Sequence, residues 1–183
     1  EAMERFEAGL ATNLRDLDAR RGELSAAVTL ALQVRAEKPE AALECLQHAR
    51  ENLPDDPALL TDLGIQAQAM NQLALANESL NAALKLKPGD LTALYALARV
   101  ETDRMRSTSA EKHFRAYLAA RPDDATAHYG LGYLLQMQLK TAEATKEFER
   151  SIELQPVQTE SYYSLGQIAL DAQRDAEAEP LFR

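Results

Sequence analysis

The residues with catalytic or metal-binding chemistry are few and scattered. The chain has three histidines, His48, His113 and His128, and one cysteine, Cys45. A structural zinc would need four nitrogen or sulfur ligands at short spacings, and no such cluster is present. A lone thiol is a nucleophile only where positive neighbours lower its pKa, and the residues flanking Cys45 supply no such field. Gly130-Leu131-Gly132 falls inside a helical pattern, not in a phosphate-binding loop. The Asn77-Glu78-Ser79 sequon lies in mid-helix and is discounted as a glycosylation site. Twenty-nine acidic residues are spread at helical spacing, and nothing selects a catalytic pair among them. The expectation is a non-enzyme with no cofactor and no metal.

Binding chemistry is better represented. Tyr95, Tyr129 and Tyr163 recur at one even spacing, and Tyr133 stands one helical turn after Tyr129. Tyrosine combines a large apolar face with a hydroxyl and loses little rotamer entropy on binding. Gln136 and Gln167 can bond the backbone of an extended ligand. Arg99 can hold a carboxylate or pair with a nearby acid. Net charge is −9, from 20 basic and 29 acidic residues. A nucleic-acid partner would need a basic stripe, and an anionic membrane surface would repel this balance. No apolar run reaches the roughly 20 residues that span a bilayer, so no membrane insertion is expected. The lone cysteine favours the cytoplasm only slightly over the periplasm.

The elements that position these residues follow from the same spacing. Pro54, Pro88, Pro122 and Pro156 stand 34 positions apart. A fixed period of this size marks a repeat architecture. With this proline at unit position 32, units start at Glu23, Pro57, Leu91, Ala125 and Thr159. Position 20 is Ala42, Ala76, Ala110, Ala144 and Ala178. Position 24 is Leu46, Leu80, Phe114, Phe148 and Phe182. Position 7 is Leu63, Leu97, Leu131 and Leu165, and position 8 is Gly64, Ala98, Gly132 and Gly166. Small residues let two helices approach, and the large residue at position 24 fills the space beside them. The proline follows a helix that it cannot continue. First helices are predicted near 57–70, 91–104, 125–138 and 159–172, with second helices near 39–52, 73–86, 107–120, 141–154 and 175–183. The first unit, with Thr29 and Leu30 at positions 7 and 8, has a degenerate first helix near 23–36.

This pattern resembles the tetratricopeptide repeat, over residues 23–183. The resemblance implies an all-α superhelix, a solenoid of about five helical hairpins, whose first helices carry positions 2, 5, 9 and 12 on a concave groove. In that groove a peptide or a partner helix would meet Tyr95, Arg99, Tyr129, Tyr133, Gln136, Tyr163 and Gln167. For the position-5 tyrosines, packing between repeats is an equally good account. The family's carboxylate clamp is missing, since its columns hold Thr61, Ile65, Ala96, Thr126 and Gly130. The implied function is a protein-interaction scaffold. The alternatives are an arm of a larger multidomain enzyme, for example a glycosyltransferase, and a self-assembly module.

Residues 1–22 form one apolar helical face from Met3, Phe6, Leu10, Leu14 and Leu17, expected to cap the first repeat or to be the remnant of an earlier one. The chain begins at Glu1 and stops at Arg183 inside a second helix, so the sequence is expected to be a fragment of a longer protein. A homo-oligomer would form through the open last repeat or through the N-terminal helix. Pro180 is expected to be tolerated within the last helix.

Overall fold

The computed structural model describes residues 28–29, 31–33 and 35–182. The expected helix over 1–22 lies outside them, as does half of the span 23–36 expected for the first helix of the first unit. All regular structure among the described residues is helical. Eight long helices follow in order: α1 (Pro39–Asn52), α2 (Pro57–Ala69), α3 (Leu73–Leu86), α4 (Leu91–Asp103), α5 (Ser107–Ala120), α6 (Ala125–Met137), α7 (Thr141–Leu154) and α8 (Thr159–Asp171). A short α9 (Asp175–Ala178) runs into a 3₁₀ turn over Glu179–Phe182. The chain divides within α4 into two compact units, Glu1–Ala96 and Leu97–Arg183.

The helix starts have a local cause. Asp56 accepts hydrogen bonds from the Ala58 and Leu59 amides at the start of α2. Asp90 and Asp124 accept from the Ala93 and Ala127 amides in the same way. Each carboxylate satisfies orphan donors and faces the positive end of the helix dipole. The next residue in this periodic series is Gln158, which gives α8 no side-chain cap. Helices α3, α5 and α7 also start without a capping bond, behind Gln72, Arg106 and Lys140. Their stability therefore rests on packing.

The turn that closes α2, α4, α6 and α8 is also repeated. Asn71, Met105, Leu139 and Gln173 all have positive φ, between 57° and 61°. After each of them the next amide bonds a carbonyl five residues back, as from Lys140 to Leu135. This is the left-handed helix terminus that glycine usually occupies. Here four non-glycine side chains bear the steric cost.

In the first unit the core is leucine and alanine: Leu43, Leu46, Leu59, Leu60, Leu63 and Leu80 are buried with Ala42, Ala49 and Ala76. Gly64 seats Leu80, since a Cβ there would lie 2.5 Å from Leu80 Cγ. Gln66 donates to the Pro39 carbonyl and ties α2 to the start of α1. In the second unit phenylalanine replaces leucine, and Phe114 and Phe148 are fully buried. Three helices there are joined by a buried hydroxyl relay. Ser161 of α8 donates to Ser151 of α7, which donates to the Ala125 carbonyl of α6, at 2.9 and 2.8 Å.

The last helix departs from expectation. The predicted span 175–183 is α-helical only to Ala178 and then tightens. Pro180 has no amide hydrogen to donate, and its ring crowds the preceding turn, so the α-helical ladder stops before it.

Candidate functional site

The tyrosines of α6 sit on a floor of glycine and phenylalanine. A Cβ on Gly132 would lie 2.8 Å from the Phe148 ring, so only glycine lets α7 come this close. Phe148 thus lies against α6, and the Tyr129 ring packs on it at 5.9 Å between centroids. Tyr133 follows one turn later, 6.4 Å from Tyr129. Gly130 has a separate reason: it faces the Phe114 ring of α5, where a Cβ would be 2.8 Å away. The Gly-Leu-Gly segment is therefore a packing seat on two sides of α6.

Two of the predicted groove residues divide by burial. Tyr129 is half-buried, and that burial, more than nearby Glu160 or Tyr133, raises its hydroxyl pKa above the ordinary tyrosine value. Tyr133 keeps 45% of its surface in water although it stands on a helix with a buried core. Gln136, the next residue of the stripe, is half-buried, and Met137 beside it is exposed. On α8 Tyr163 is 59% exposed and packs edge-on against Phe182 at 5.7 Å. Gln167 is half-buried and Leu170 is exposed. Arg99 is exposed on α4 within the second unit. Tyr95 is half-buried and belongs to the first unit.

Not every stripe position is open. Thr61 is buried and donates to the Pro57 carbonyl, and Thr102 is buried and donates to the Ala98 carbonyl. Ala31 is buried with Ala42 and Cys45. The sequence did not single out the rings that back the site, Phe148 and Phe182. The signal was present in the large residue that recurs at unit position 24.

Two of the three histidines, His113 and His128, acquire carboxylate partners across helix pairs, whereas His48 stands 4.0 Å from Glu51 of its own helix. His113 Nδ1 bonds the buried Glu101 at 2.7 Å. His128 bonds Glu147 at 2.7 Å through Nδ1 and the Pro122 carbonyl at 2.9 Å through Nε2. Each is a single pair that braces two helices. Among the described residues there is no group of three or more His, Cys, Asp or Glu that could hold a metal. Cys45 is buried, and burial raises its thiol pKa. Among the described residues no helix is long and apolar enough to cross a membrane.

The family model for the tetratricopeptide repeat matches residues 61–125, 103–138 and 129–183, about two thirds of the chain. The chain belongs to the tetratricopeptide repeat family. A search of curated proteins finds no match. Solved structures similar to this tetratricopeptide chain include MamA 41-end from Desulfovibrio magneticus RS-1, with a TM-score of 0.79 at 22% identity, covering 87% of this chain and 90% of that one. A second MamA crystal structure has a TM-score of 0.75 at 20% identity, covering 84% and 90%. YrrB, a TPR protein with an unusual peptide-binding site, has a TM-score of 0.75 at 18% identity, covering 99% and 90%. At these identities the likeness establishes the shared tetratricopeptide fold.

Proposed function

We propose that this chain is a protein-interaction scaffold, and that the face of α6 and α8 in its second unit takes a peptide or a partner helix. The observation that carries this reading is Tyr133. A large aromatic side chain stays 45% exposed on a helix whose other face is packed tight. Its neighbour Tyr129 is held by Phe148, so the platform is rigid before a ligand arrives. A preorganised aromatic anchor binds at low entropic cost. Exposed Met137 and Leu170 add apolar area that suits an amphipathic ligand. Tyr163 and Gln167 extend the same face along α8, and Arg99 and Gln136 are candidate outlying contacts. Tyr95, on the first unit, is a candidate contact of its own. Membership of a repeat family built for surface display, and the peptide-binding site of the similarly folded YrrB, support the reading.

Tyr133→Ala separates binding from folding better than the paired Tyr129→Ala and Tyr133→Ala change, because Tyr129 is also a packing residue. A random-peptide phage library is selected on the immobilised chain, and the best peptide is titrated by fluorescence anisotropy. Tyr133→Ala is expected to weaken it by about tenfold or more with an unchanged melting curve, as for the loss of a central aromatic anchor. Unchanged affinity would remove Tyr133 from the site.

A further inference from the structure

The tyrosine platform of α6 has one charged neighbour. Of the residues at unit positions 2, 5, 9 and 12 on α6 and α8, Glu160 alone carries a charge. The buried hydroxyl relay brings it toward the tyrosines. Ser161, the residue after Glu160, reaches the Ala125 carbonyl through Ser151 over bonds of 2.9 and 2.8 Å, so the start of α8 lies against the start of α6. Tyr129 stands one turn along α6 from Ala125. Burial raises its hydroxyl pKa most, and the negative charge of Glu160 is the next cause. On α8 itself Glu160 shares a face with Tyr163 and Gln167, at helical spacing.

Other acids of this unit are paired inside the chain: Glu147 with His128, and Asp123 and Glu153 with Arg150. Glu160 is exposed and accepts the adjacent Thr159 hydroxyl at 3.3 Å. Among the described residues it enters no ion pair with a lysine, arginine or histidine. Its place in the first turn of α8 gives it one local use, facing the positive end of a helix that has no side-chain cap. An acid in place of Thr159 would serve that purpose as well; at position 160 the charge also stands on the tyrosine stripe. Arg99 lies one repeat before Tyr133, and Glu160 opens the repeat after it, so a ligand's positive charge is favoured on the α8 side.

We propose, resting on the scaffold reading above, that the α6–α8 groove selects a peptide with an arginine, whose guanidinium stacks on the Tyr129–Tyr133 pair and bonds the Glu160 carboxylate. Charge complementarity defines the occupant: an unpaired carboxylate stands beside a partly exposed aromatic pair. A planar cation satisfies both, since its face stacks on a ring while its edge forks to a carboxylate. Lysine offers only a point charge on a flexible stem. An acidic peptide meets repulsion at the same place.

The probes are the peptides selected from the random library on the immobilised chain, titrated by fluorescence anisotropy. Arginine is expected to be enriched at one position. Citrulline there keeps the planar shape without the charge and should weaken binding about tenfold. Lysine should weaken it about threefold. Glu160→Gln in the protein should cost about tenfold with the arginine peptide and nothing with the citrulline peptide, at an almost unchanged melting curve. Glu160→Arg, paired with a peptide whose arginine is changed to glutamate, should bind more tightly than either single change. A purely structural role for Glu160 could not produce that rescue. Selected peptides that need Tyr133 but carry no arginine, or that bind Glu160→Gln as tightly as the parent chain, would overturn this inference and leave the scaffold reading standing. Enrichment of acidic peptides would do the same. Peptides that bind Tyr133→Ala undiminished, or no enriched peptide at all, would remove the groove and this proposal with it.

Discussion

The hairpin α6–α7 and the hairpin formed by α8, α9 and the 3₁₀ turn are built from matching residues and end in different states. Gly132 seats Phe148 as Gly166 seats Phe182, and Tyr129 meets Phe148 as Tyr163 meets Phe182. Yet Phe148 is fully buried and Phe182 is 43% exposed, while Tyr129 is half-buried and Tyr163 is 59% exposed. The difference is the helix laid on top: α8 packs on α7. A residue's role in such a stack is therefore set by its neighbour as much as by its own hairpin.

The sharpest way to break this comparison is to remove the two rings. Phe148→Ala should cost about 3–5 kcal/mol, the range for emptying a packed aromatic site. Phe182→Ala should cost only about 1–2 kcal/mol, because much of its area is already wet. Urea denaturation of both variants would measure the gap, and equal losses would mean that the covering helix contributes little.

The tyrosines give the same contrast on a smaller scale. Tyr129→Ala should lower stability by about 2 kcal/mol, from lost burial and ring contact with Phe148. Tyr163→Ala should stay below about 1 kcal/mol, as it surrenders mostly solvated surface. The reverse order by thermal melting would place the rigid platform on α8 rather than α6.

The turns test where the hairpins should be alike. Leu139 is 88% exposed and holds φ near 61°, and Gln173 has φ near 57°. Leu139→Gly and Gln173→Gly should each raise stability by about 0.5–1 kcal/mol, the left-handed strain relieved less glycine's greater unfolded entropy. A gain at one and a loss at the other would show that the two turns are under different constraint.

The weakest expected effect is electrostatic. Lys140 reaches back to Glu111 at 2.9 Å, whereas Arg174, its counterpart one repeat on, pairs locally with Glu177. The hydrogen bond from Lys140, then that from Arg115, holds the Glu111 carboxyl below the ordinary carboxylate range against opposing burial. A lowered folded-state pKa means that this contribution is present above the unfolded pKa and is lost as pH falls through the folded one. Lys140→Met should move the Glu111 titration upward in an NMR pH series and cost about 0.5 kcal/mol near neutrality, as for exposed pairs. Arg174→Met should move no carboxyl in α5.

Much of the fold was legible because it rests on residue size. The column of Ala42, Ala76, Ala110, Ala144 and Ala178, every one now buried, could only be a closely approached seam. The prolines marked where helices end, and α2, α4, α6 and α8 begin at Pro57, Leu91, Ala125 and Thr159. Pro180 was misjudged because its cost depends on the amide it lacks, which side-chain patterning does not register. The positive-φ turns were also missed, since Met105 and Leu139 carry none of glycine's warning. The site was less legible than the fold. Tyr129 and Tyr133 are one residue type on one helix, and only packing against Phe148 separates them. Nor could spacing show that Thr61 and Thr102 would turn inward to bond their own helices.

The buried hydroxyl relay from Ser161 through Ser151 to the Ala125 carbonyl gives the second unit a mechanical directionality. Sliding α8 along α7 by even part of a turn would strand hydroxyl groups away from both water and partner, at about 1–3 kcal/mol for each orphaned group. Hinging the helices apart instead lets water reach the same groups as they part. Under load this stack should therefore open like a book rather than shear like a deck of cards.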